Sequence, residues 1–126
     1  MPETHVAPGD PGLERRLRDA LRGEVRFDAF TRGLYATDAS HYQIEPLGVV
    51  FPESTEDVES VLRVARDAGV PVLPRGGGTS QCGQTVGRAI VADVSRHLTR
   101  VGAVVGDEIE VEPGVVLDQL NSGLSS

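Results

Sequence analysis

The 126-residue sequence contains no lysine and no tryptophan, and its only cysteine is Cys82. One cysteine cannot build a disulfide framework, and its solitary presence is typical of a reducing compartment, so we expect a cytoplasmic protein. One cysteine and three widely spaced histidines do not match the ligand spacing of a zinc site, so we expect no metal. No apolar run approaches the roughly 18 residues that a membrane helix needs, so we expect no membrane span.

Positive charge is also scarce, because 12 arginines stand against 19 acidic residues and the net charge is −7. A protein that binds nucleic acid through its phosphates needs a basic surface, so nucleic acid is not an expected partner. Residues 1–12 contain three prolines and two glycines but no apolar stretch. We interpret them as a flexible tail and not as a secretory signal.

The middle of the chain carries the clearest pattern of secondary structure. Residues 48–51 and 70–73 are short apolar runs, and between them an apolar stripe recurs at helical spacing. Ser54 is placed as an N-cap of that helix, and Gly69 is placed at its end. The pattern predicts a strand, a helix and a second strand, with the two strands parallel and the crossover right-handed.

Flanking segments predict further elements around this unit. We expect helices over residues 13–22 and from residue 115 to about 120, a helical turn within 27–35, and irregular chain over 38–46. Strands are predicted over 89–93, 101–105 and 109–112, the last two joined by a hairpin turn at Gly106-Asp107. The prediction is an α/β (α+β) fold in which a small, mainly parallel sheet has flanking helices and a β-hairpin.

The most distinctive segment is RGGGTSQCGQTVG, residues 75–87, which we call the glycine loop. It follows a predicted parallel strand at its carboxyl end, where open α/β sheets bind ligands. Glycines let the backbone adopt positive φ and approach a ligand closely, and successive N–H groups form a concave anion site. The composition indicates a loop that holds a diphosphate, and the alternative is an ordinary surface turn.

Two common phosphate-binding patterns fit the glycine loop only in part. For the dinucleotide fingerprint, Gly76 and Gly78 match, but Gln81 stands where the last glycine is needed. The Walker A pattern nearly matches over residues 78–85, but Gln84 replaces its lysine and a strand-like segment follows instead of a helix. A nucleotide-binding module of another class therefore stays open as an alternative.

The segment VPVLPRGGGTSQCGQTVG resembles the phosphate loop of the FAD-linked oxidases of the vanillyl-alcohol oxidase and p-cresol methylhydroxylase (PCMH) superfamily. The resemblance extends upstream through LYATDASHYQIEPLGVVFPESTEDVESVLRVARDAGVPVLP and downstream to VEPGVVLDQLN, and it favours the glycolate oxidase and D-lactate dehydrogenase branch. It covers roughly residues 24–121 and implies the first subdomain of a PCMH-type FAD-binding domain over residues 13–121, with residues 122–126 as a truncated tail.

In that family FAD lies between two subdomains, with its pyrophosphate on this loop. The resemblance implies FAD contacts at two places, the glycine loop and the EPGV turn: Pro74, Arg75, Gly76, Gly77, Gly78, Thr79, Ser80, Gly83, Gln84, Pro113 and Gly114. Relatives that attach the flavin covalently often carry histidine at the position of Thr79, so the resemblance implies that FAD is bound non-covalently.

The resemblance also implies what the parent protein does. A family member of this branch transfers a hydride from a 2-hydroxy acid, such as D-lactate or glycolate, to the flavin. The second FAD subdomain and the substrate-binding cap domain are absent from this sequence, so no catalytic residue is assigned and we expect no turnover by the chain alone. Whether the chain alone retains FAD stays open. A further alternative is a non-catalytic fragment that self-associates through the face that truncation exposes.

Overall fold

The structure is a computed structural model that describes residues 5–40, 43–79 and 86–125. In chain order, these residues form α1 (Pro11–Ala20), β1 (Glu24–Arg26), α2 (Ala29–Leu34), β2 (Gly48–Phe51), α3 (Thr55–Ala68), β3 (Val72–Arg75), β4 (Ile90–Asp93), β5 (Val101–Val105), β6 (Glu108–Val111) and α4 (Leu117–Leu124). Among them, no helix is both long enough and apolar enough to cross a membrane.

The main sheet has the strand order β1-β2-β4-β3, in which β1 is antiparallel and the other three strands are parallel. The predicted strand–helix–strand unit is present, and its two strands are parallel as expected. They are not neighbours, because β4 lies between them. The strand predicted over residues 70–73 begins and ends two residues later, and it contains Pro74. Proline is tolerated there because β3 is an edge strand.

The helices α1 and α3 cover one face of this sheet. The Ser54 hydroxyl accepts from the Asp57 N–H at 3.2 Å, and Gly69 ends α3 with a φ of 69°. Helix α1 begins two residues before the predicted start, because Asp10 accepts from the Leu13 N–H at 2.8 Å and Pro11 suits the first helical position. Apolar side chains from these helices and the sheet form the main core: Leu13, Leu17, Val50, Val61, Ala65 and Ile90.

A second, smaller cluster lies on the other face of the sheet. It contains Val49, Phe51 and Val91, with Tyr35 and Leu73 packed against it. Strands β2 and β4 are buried along their whole length because apolar side chains pack on both of their faces. The small, mainly parallel sheet with flanking helices and a hairpin is therefore confirmed.

The hairpin of β5 and β6 turns at Gly106, which has a φ of 61°, and Asp107, as the sequence predicts. The prediction that α4 ends by about residue 120 is wrong, because the helix continues to Leu124. Leu117, Leu120 and Leu124 continue the helical apolar spacing through the Asn-Ser-Gly segment. Neither the hairpin nor α4 contains a buried residue.

Candidate functional site

Three parallel strands end side by side at one edge of the main sheet. Phe51 is the last residue of β2, Asp93 the last of β4 and Arg75 the last of β3, and Arg75 is the register partner of Asp93. The glycine loop leaves the sheet directly after Arg75. We call these three residues and residues 76–79 the carboxyl edge. Ligands of open parallel sheets bind outside such an edge.

The described part of the glycine loop has open space beside two of its glycines. A Cβ added at Gly76 would have no described atom within 4 Å, and one at Gly77 would meet only the Thr79 methyl at 3.7 Å. Packing among the described residues therefore does not require glycine at these positions. A ligand that approaches the backbone N–H groups closely does require it, as a phosphate does.

Gly78 differs from its two neighbours, because packing within the protein explains it. It has a φ of 70°, and an added Cβ would lie 2.6 Å from Arg75 Nη2. Its carbonyl oxygen accepts a hydrogen bond from the Ala39 N–H at 3.1 Å. The turn of the glycine loop is thus held by contacts to Arg75 and to the segment that follows α2.

The guanidinium of Arg75 turns back over the protein. Its central carbon lies 4.9 Å from the centre of the Tyr35 ring, and its Nη1 donates to the Tyr35 carbonyl oxygen at 3.3 Å. A cation over an aromatic ring is attracted by the ring's quadrupole. The arginine therefore joins the glycine loop to Tyr35.

Tyr35 is held in turn by the end of β4. Its hydroxyl donates to Asp93 Oδ2 at 2.5 Å, and Asp93 Oδ1 accepts from the Ser95 N–H at 2.8 Å and the Ser95 hydroxyl at 2.6 Å. Burial, and then the Asp93 carboxylate, raise the pKa of the Tyr35 hydroxyl above its ordinary value. The phenol therefore stays protonated at neutral pH and remains a donor to Asp93.

Phe51 completes this cluster of ring and charge contacts. Its ring meets the Tyr35 ring edge to face, with the centres 6.0 Å apart and the planes at 77°. The guanidinium of Arg96 lies 4.0 Å from the centre of the Phe51 ring, on a neighbouring part of the same edge. The rings of Tyr35 and Phe51 are therefore fixed by partners on both sides.

The EPGV turn is joined to the carboxyl edge through Val94. The Gly114 N–H donates to the Leu98 carbonyl oxygen at 2.8 Å, and a Cβ on Gly114 would lie 2.1 Å from the Val94 carbonyl oxygen. Glycine is required for this close approach of two backbones. The Val94 N–H donates to the Arg75 carbonyl oxygen at 2.9 Å, so Pro113 and Gly114 lie one connection away from the glycine loop.

The predicted site residues divide into three groups. Pro74 and Arg75 lie in β3, and Gly76, Gly77, Gly78 and Thr79 continue directly from it. Pro113 and Gly114 approach through the turn before α4. The remaining predicted contacts, Ser80, Gly83 and Gln84, lie outside the described residues, as does most of the Walker-like segment 78–85.

A separate cavity of about 580 Å³ lies at the beginning of α3. Its lining combines the carboxylates of Glu53, Glu56 and Asp57 with Arg22 and Arg100, so it does not present charge of one sign to a ligand. Asp57 has a structural role, because its carboxylate accepts N–H groups from Arg22, Gly23 and Glu53 at 2.9–3.0 Å. Burial raises the pKa of Asp57, but these N–H groups lower it further, so the net pKa lies below the ordinary value.

The FAD binding domain family matches residues 46–126, which include the carboxyl edge and the EPGV turn. The chain belongs to this family. Its cofactor is FAD, and the space that the described residues leave beside Gly76 and Gly77 fits a group that approaches the backbone closely.

Two curated relatives are D-2-hydroxyglutarate dehydrogenase of Escherichia coli, 44% identical over 98% of this chain, and glycolate oxidase subunit GlcD of Bacillus subtilis, 29% identical over 81% of it. The chain spans only 13% of the first relative and 23% of the second. The resemblance to FAD-linked oxidases of this branch is confirmed.

Solved structures agree on the fold. Alkyldihydroxyacetonephosphate synthase matches 91% of this chain with a TM-score of 0.76 and 22% identity, and the match spans 24% of that chain. p-Cresol methylhydroxylase matches 93% with a TM-score of 0.71 and 14% identity, again over 24% of that chain. The described residues therefore have the fold of a part of a PCMH-type FAD-binding domain.

Proposed function

We propose that this chain holds the pyrophosphate of non-covalently bound FAD on the glycine loop. The observation that carries the proposal is that the described residues leave the backbone of Gly76 and Gly77 uncovered, directly after a parallel strand. In this arrangement the backbone N–H groups of residues 76–78 and the Thr79 hydroxyl donate to phosphate oxygens. Ser80, Gly83 and Gln84 extend the contact along the loop, and Pro113 and Gly114 approach the cofactor from the neighbouring turn.

The proposal also covers the arrangement of domains. The subdomain predicted over residues 13–121 is the first of two between which FAD lies, and the helices at its ends extend it to Pro11 and Leu124. The 24% of the p-cresol methylhydroxylase chain that this chain matches supports a larger parent protein. The second subdomain and the cap domain over the flavin belong to that parent. The single cysteine supports a cytoplasmic location for it.

The parent is proposed to be an FAD-dependent oxidoreductase that acts on a 2-hydroxy acid. The names of the two curated relatives supply this class, since 2-hydroxyglutarate and glycolate are both 2-hydroxy acids. FAD supplies the hydride acceptor when bound, and the residues of this chain orient it by its diphosphate. D-2-Hydroxyglutarate, D-lactate and glycolate are the substrates to test first, on a parent protein and not on this chain alone.

The binding proposal is tested by titrating the purified chain with FAD while following flavin fluorescence, with ADP and ATP as competitors. We expect saturable binding that ADP competes. Gly77→Val, which fills the open space, is expected to weaken binding about tenfold or more, because binding strength depends on a site that already has the right shape.

The matched control is Gly33→Val in α2, where an added Cβ also meets no described atom within 4 Å. It is expected to leave the FAD affinity unchanged. FAD binding that Gly77→Val leaves intact would place the cofactor elsewhere. Binding of ATP that depends on Mg²⁺, without binding of FAD, would favour the Walker-like alternative instead.

A second property rests on a different observation, the exposed apolar surface of β5, β6 and α4. Val105 is 76% exposed and Leu117 is 66% exposed. Apolar patches of this kind drive association in water, so the isolated chain is proposed to self-associate through them. Light scattering over a range of protein concentrations tests this, and a mass that stays at 13.4 kDa throughout would contradict it.

A further inference from the structure

We propose that Arg75 and Tyr35 form a brace, a pair of contacting side chains that holds the glycine loop in place. Arg75 is then a positioning residue and not a ligand of the diphosphate. The proposal rests on the FAD-binding function, because the effect that it predicts is a change in FAD affinity. The basic residue next to a phosphate loop is the obvious candidate for a direct ion pair. In the structure, however, the guanidinium lies over the Tyr35 ring and beside Gly78.

The first step of the argument is where the guanidinium lies. It is 4.9 Å from the Tyr35 ring centre and donates to the Tyr35 carbonyl oxygen. Its Nη2 occupies the space that a side chain on Gly78 would need, 2.6 Å from the position of that Cβ. The guanidinium of Arg75 therefore packs beside Gly78, the last of the three glycines.

The second step is that the partner of Arg75 is itself fixed. Tyr35 donates to Asp93, which caps the turn to Ser95, and its ring lies edge-on to Phe51. A rigid ring under the guanidinium keeps the arginine in one place. A lysine would not reproduce this contact, because it lacks the planar fork that stacks and donates at once.

The third step connects the brace to the ligand-binding backbone. The Ala39 N–H donates to the Gly78 carbonyl oxygen, so the chain after Tyr35 contacts the glycine loop a second time. Both contacts are made with Gly78, so they fix the end of the three-glycine segment that begins at Arg75. The N–H groups of Gly76 and Gly77 are thereby positioned before a diphosphate arrives, which reduces the ordering cost of binding.

The test compares FAD affinities of the full 126-residue chain and four variants: Arg75→Met, Arg75→Lys, Tyr35→Leu and the double variant Arg75→Met/Tyr35→Leu. Each single substitution is expected to weaken FAD binding about tenfold, and the double variant no further, because both remove one brace. Arg75→Lys is expected not to restore affinity. Additive losses, or rescue by lysine, would show that Arg75 contacts phosphate and would overturn the proposal.

The matched control is Arg66→Met. Arg66 lies in α3, on the opposite face of the sheet from Tyr35, where its side chain is 81% exposed and 3.9 Å from the Asp67 carboxylate. Its loss is expected to leave FAD affinity unchanged. A tenfold loss in Arg66→Met would mean that the loss of any positive charge weakens binding, which contradicts a specific brace.

A second measurement needs no ligand and separates the brace from the proposed function. Hydrogen exchange of the Ala39 N–H is expected to be about fivefold faster or more in Arg75→Met and Tyr35→Leu, with the urea midpoint of the Arg75 variant nearly unchanged. If the wild-type chain binds neither FAD nor ADP, the proposed function fails, and the exchange rate of the Ala39 N–H alone tests the brace. An exchange rate that is unchanged in both variants overturns the brace. Should Tyr35→Leu not fold, Tyr35→Phe, which keeps the ring but frees it from Asp93, is measured in its place.

Discussion

The Tyr35 hydroxyl donates to Asp93 Oδ2 at 2.5 Å and so connects the residue after α2 to the last residue of β4, 58 positions along the chain. Asp93 is buried, and its other oxygen already accepts from Ser95. One carboxylate therefore ends a central strand, caps the next turn and holds the ring under Arg75. The shape of the carboxyl edge depends on this residue as much as on the glycines.

We expect Tyr35→Phe to lower the free energy of unfolding by about 1–3 kcal/mol, because it leaves a buried carboxylate oxygen without its donor. Urea unfolding at pH 7 measures the change. In an Asp93→Ala background the same substitution is expected to have almost no further effect, since the acceptor is already absent. An equal loss in both backgrounds would mean that the hydroxyl stabilises the chain through some other contact.

Asp57 is expected to make stability depend on pH. Its folded-state pKa lies below the ordinary value of about 3.9, so its contribution is present above that value and disappears as the pH falls through the lower, folded pKa. Asp57→Asn keeps the size but loses the charge that three N–H groups bind. We expect it to cost about 1–3 kcal/mol at pH 7 and less at pH 3.

Urea unfolding of both chains at the two pH values measures this difference. The control is Asp67→Asn, which removes an exposed carboxylate on the same helix and is expected to change stability little at either pH. A cost of Asp57→Asn that is as large at pH 3 as at pH 7 would show that packing, and not the charge, explains it.

Gly114 is expected to tolerate no side chain, because a Cβ would lie 2.1 Å from the Val94 carbonyl oxygen and 2.6 Å from that of Leu98. Backbone atoms cannot move away by a side-chain rotation, so Gly114→Ala is expected to lower the free energy of unfolding by about 1–3 kcal/mol. It is also expected to weaken FAD binding, because the EPGV turn must move. Gly33→Ala, in α2 with no described atom near the new methyl, is expected to stabilise by about 0.5–1 kcal/mol. Thermal unfolding of the two variants compares them directly.

Local signals in the sequence predict much of this fold. Ser54 and Gly69 mark the ends of α3, and Gly106 marks the hairpin turn, because capping and turn geometry depend only on neighbouring residues. Strand β1 was not predicted, since it has three residues and only Val25 among them is buried. Strand order was not predicted either, because the insertion of β4 between β2 and β3 depends on packing between distant segments.

The candidate site also has one part that the sequence predicts and one part that only tertiary packing explains. The glycines of the loop are visible in the sequence. Asp93 caps a turn through its bonds to Ser95, which is a local role that an aspartate at the end of a strand commonly has. Tyr35 carries no local signal for its role. It belongs to the site only because α2 packs against the sheet and brings Tyr35 to the carboxyl edge. The hydrogen bond between Arg75 and Tyr35 joins residues that are 40 positions apart in the sequence.

The exposed apolar face supplies the last prediction. Val105 in β5 and Leu117 at the start of α4 are the most exposed large apolar residues of the hairpin and of α4, respectively. Replacing both by glutamate adds one negative charge to the hairpin and one to α4 of each copy, so Val105→Glu/Leu117→Glu is expected to shift the chain toward the monomer and lower its tendency to aggregate. Sedimentation velocity at several concentrations measures this. Arg63→Glu changes the net charge by the same two units at an exposed polar position of α3, and dissociation by this variant as well would show that net charge, and not the hairpin face, controls association.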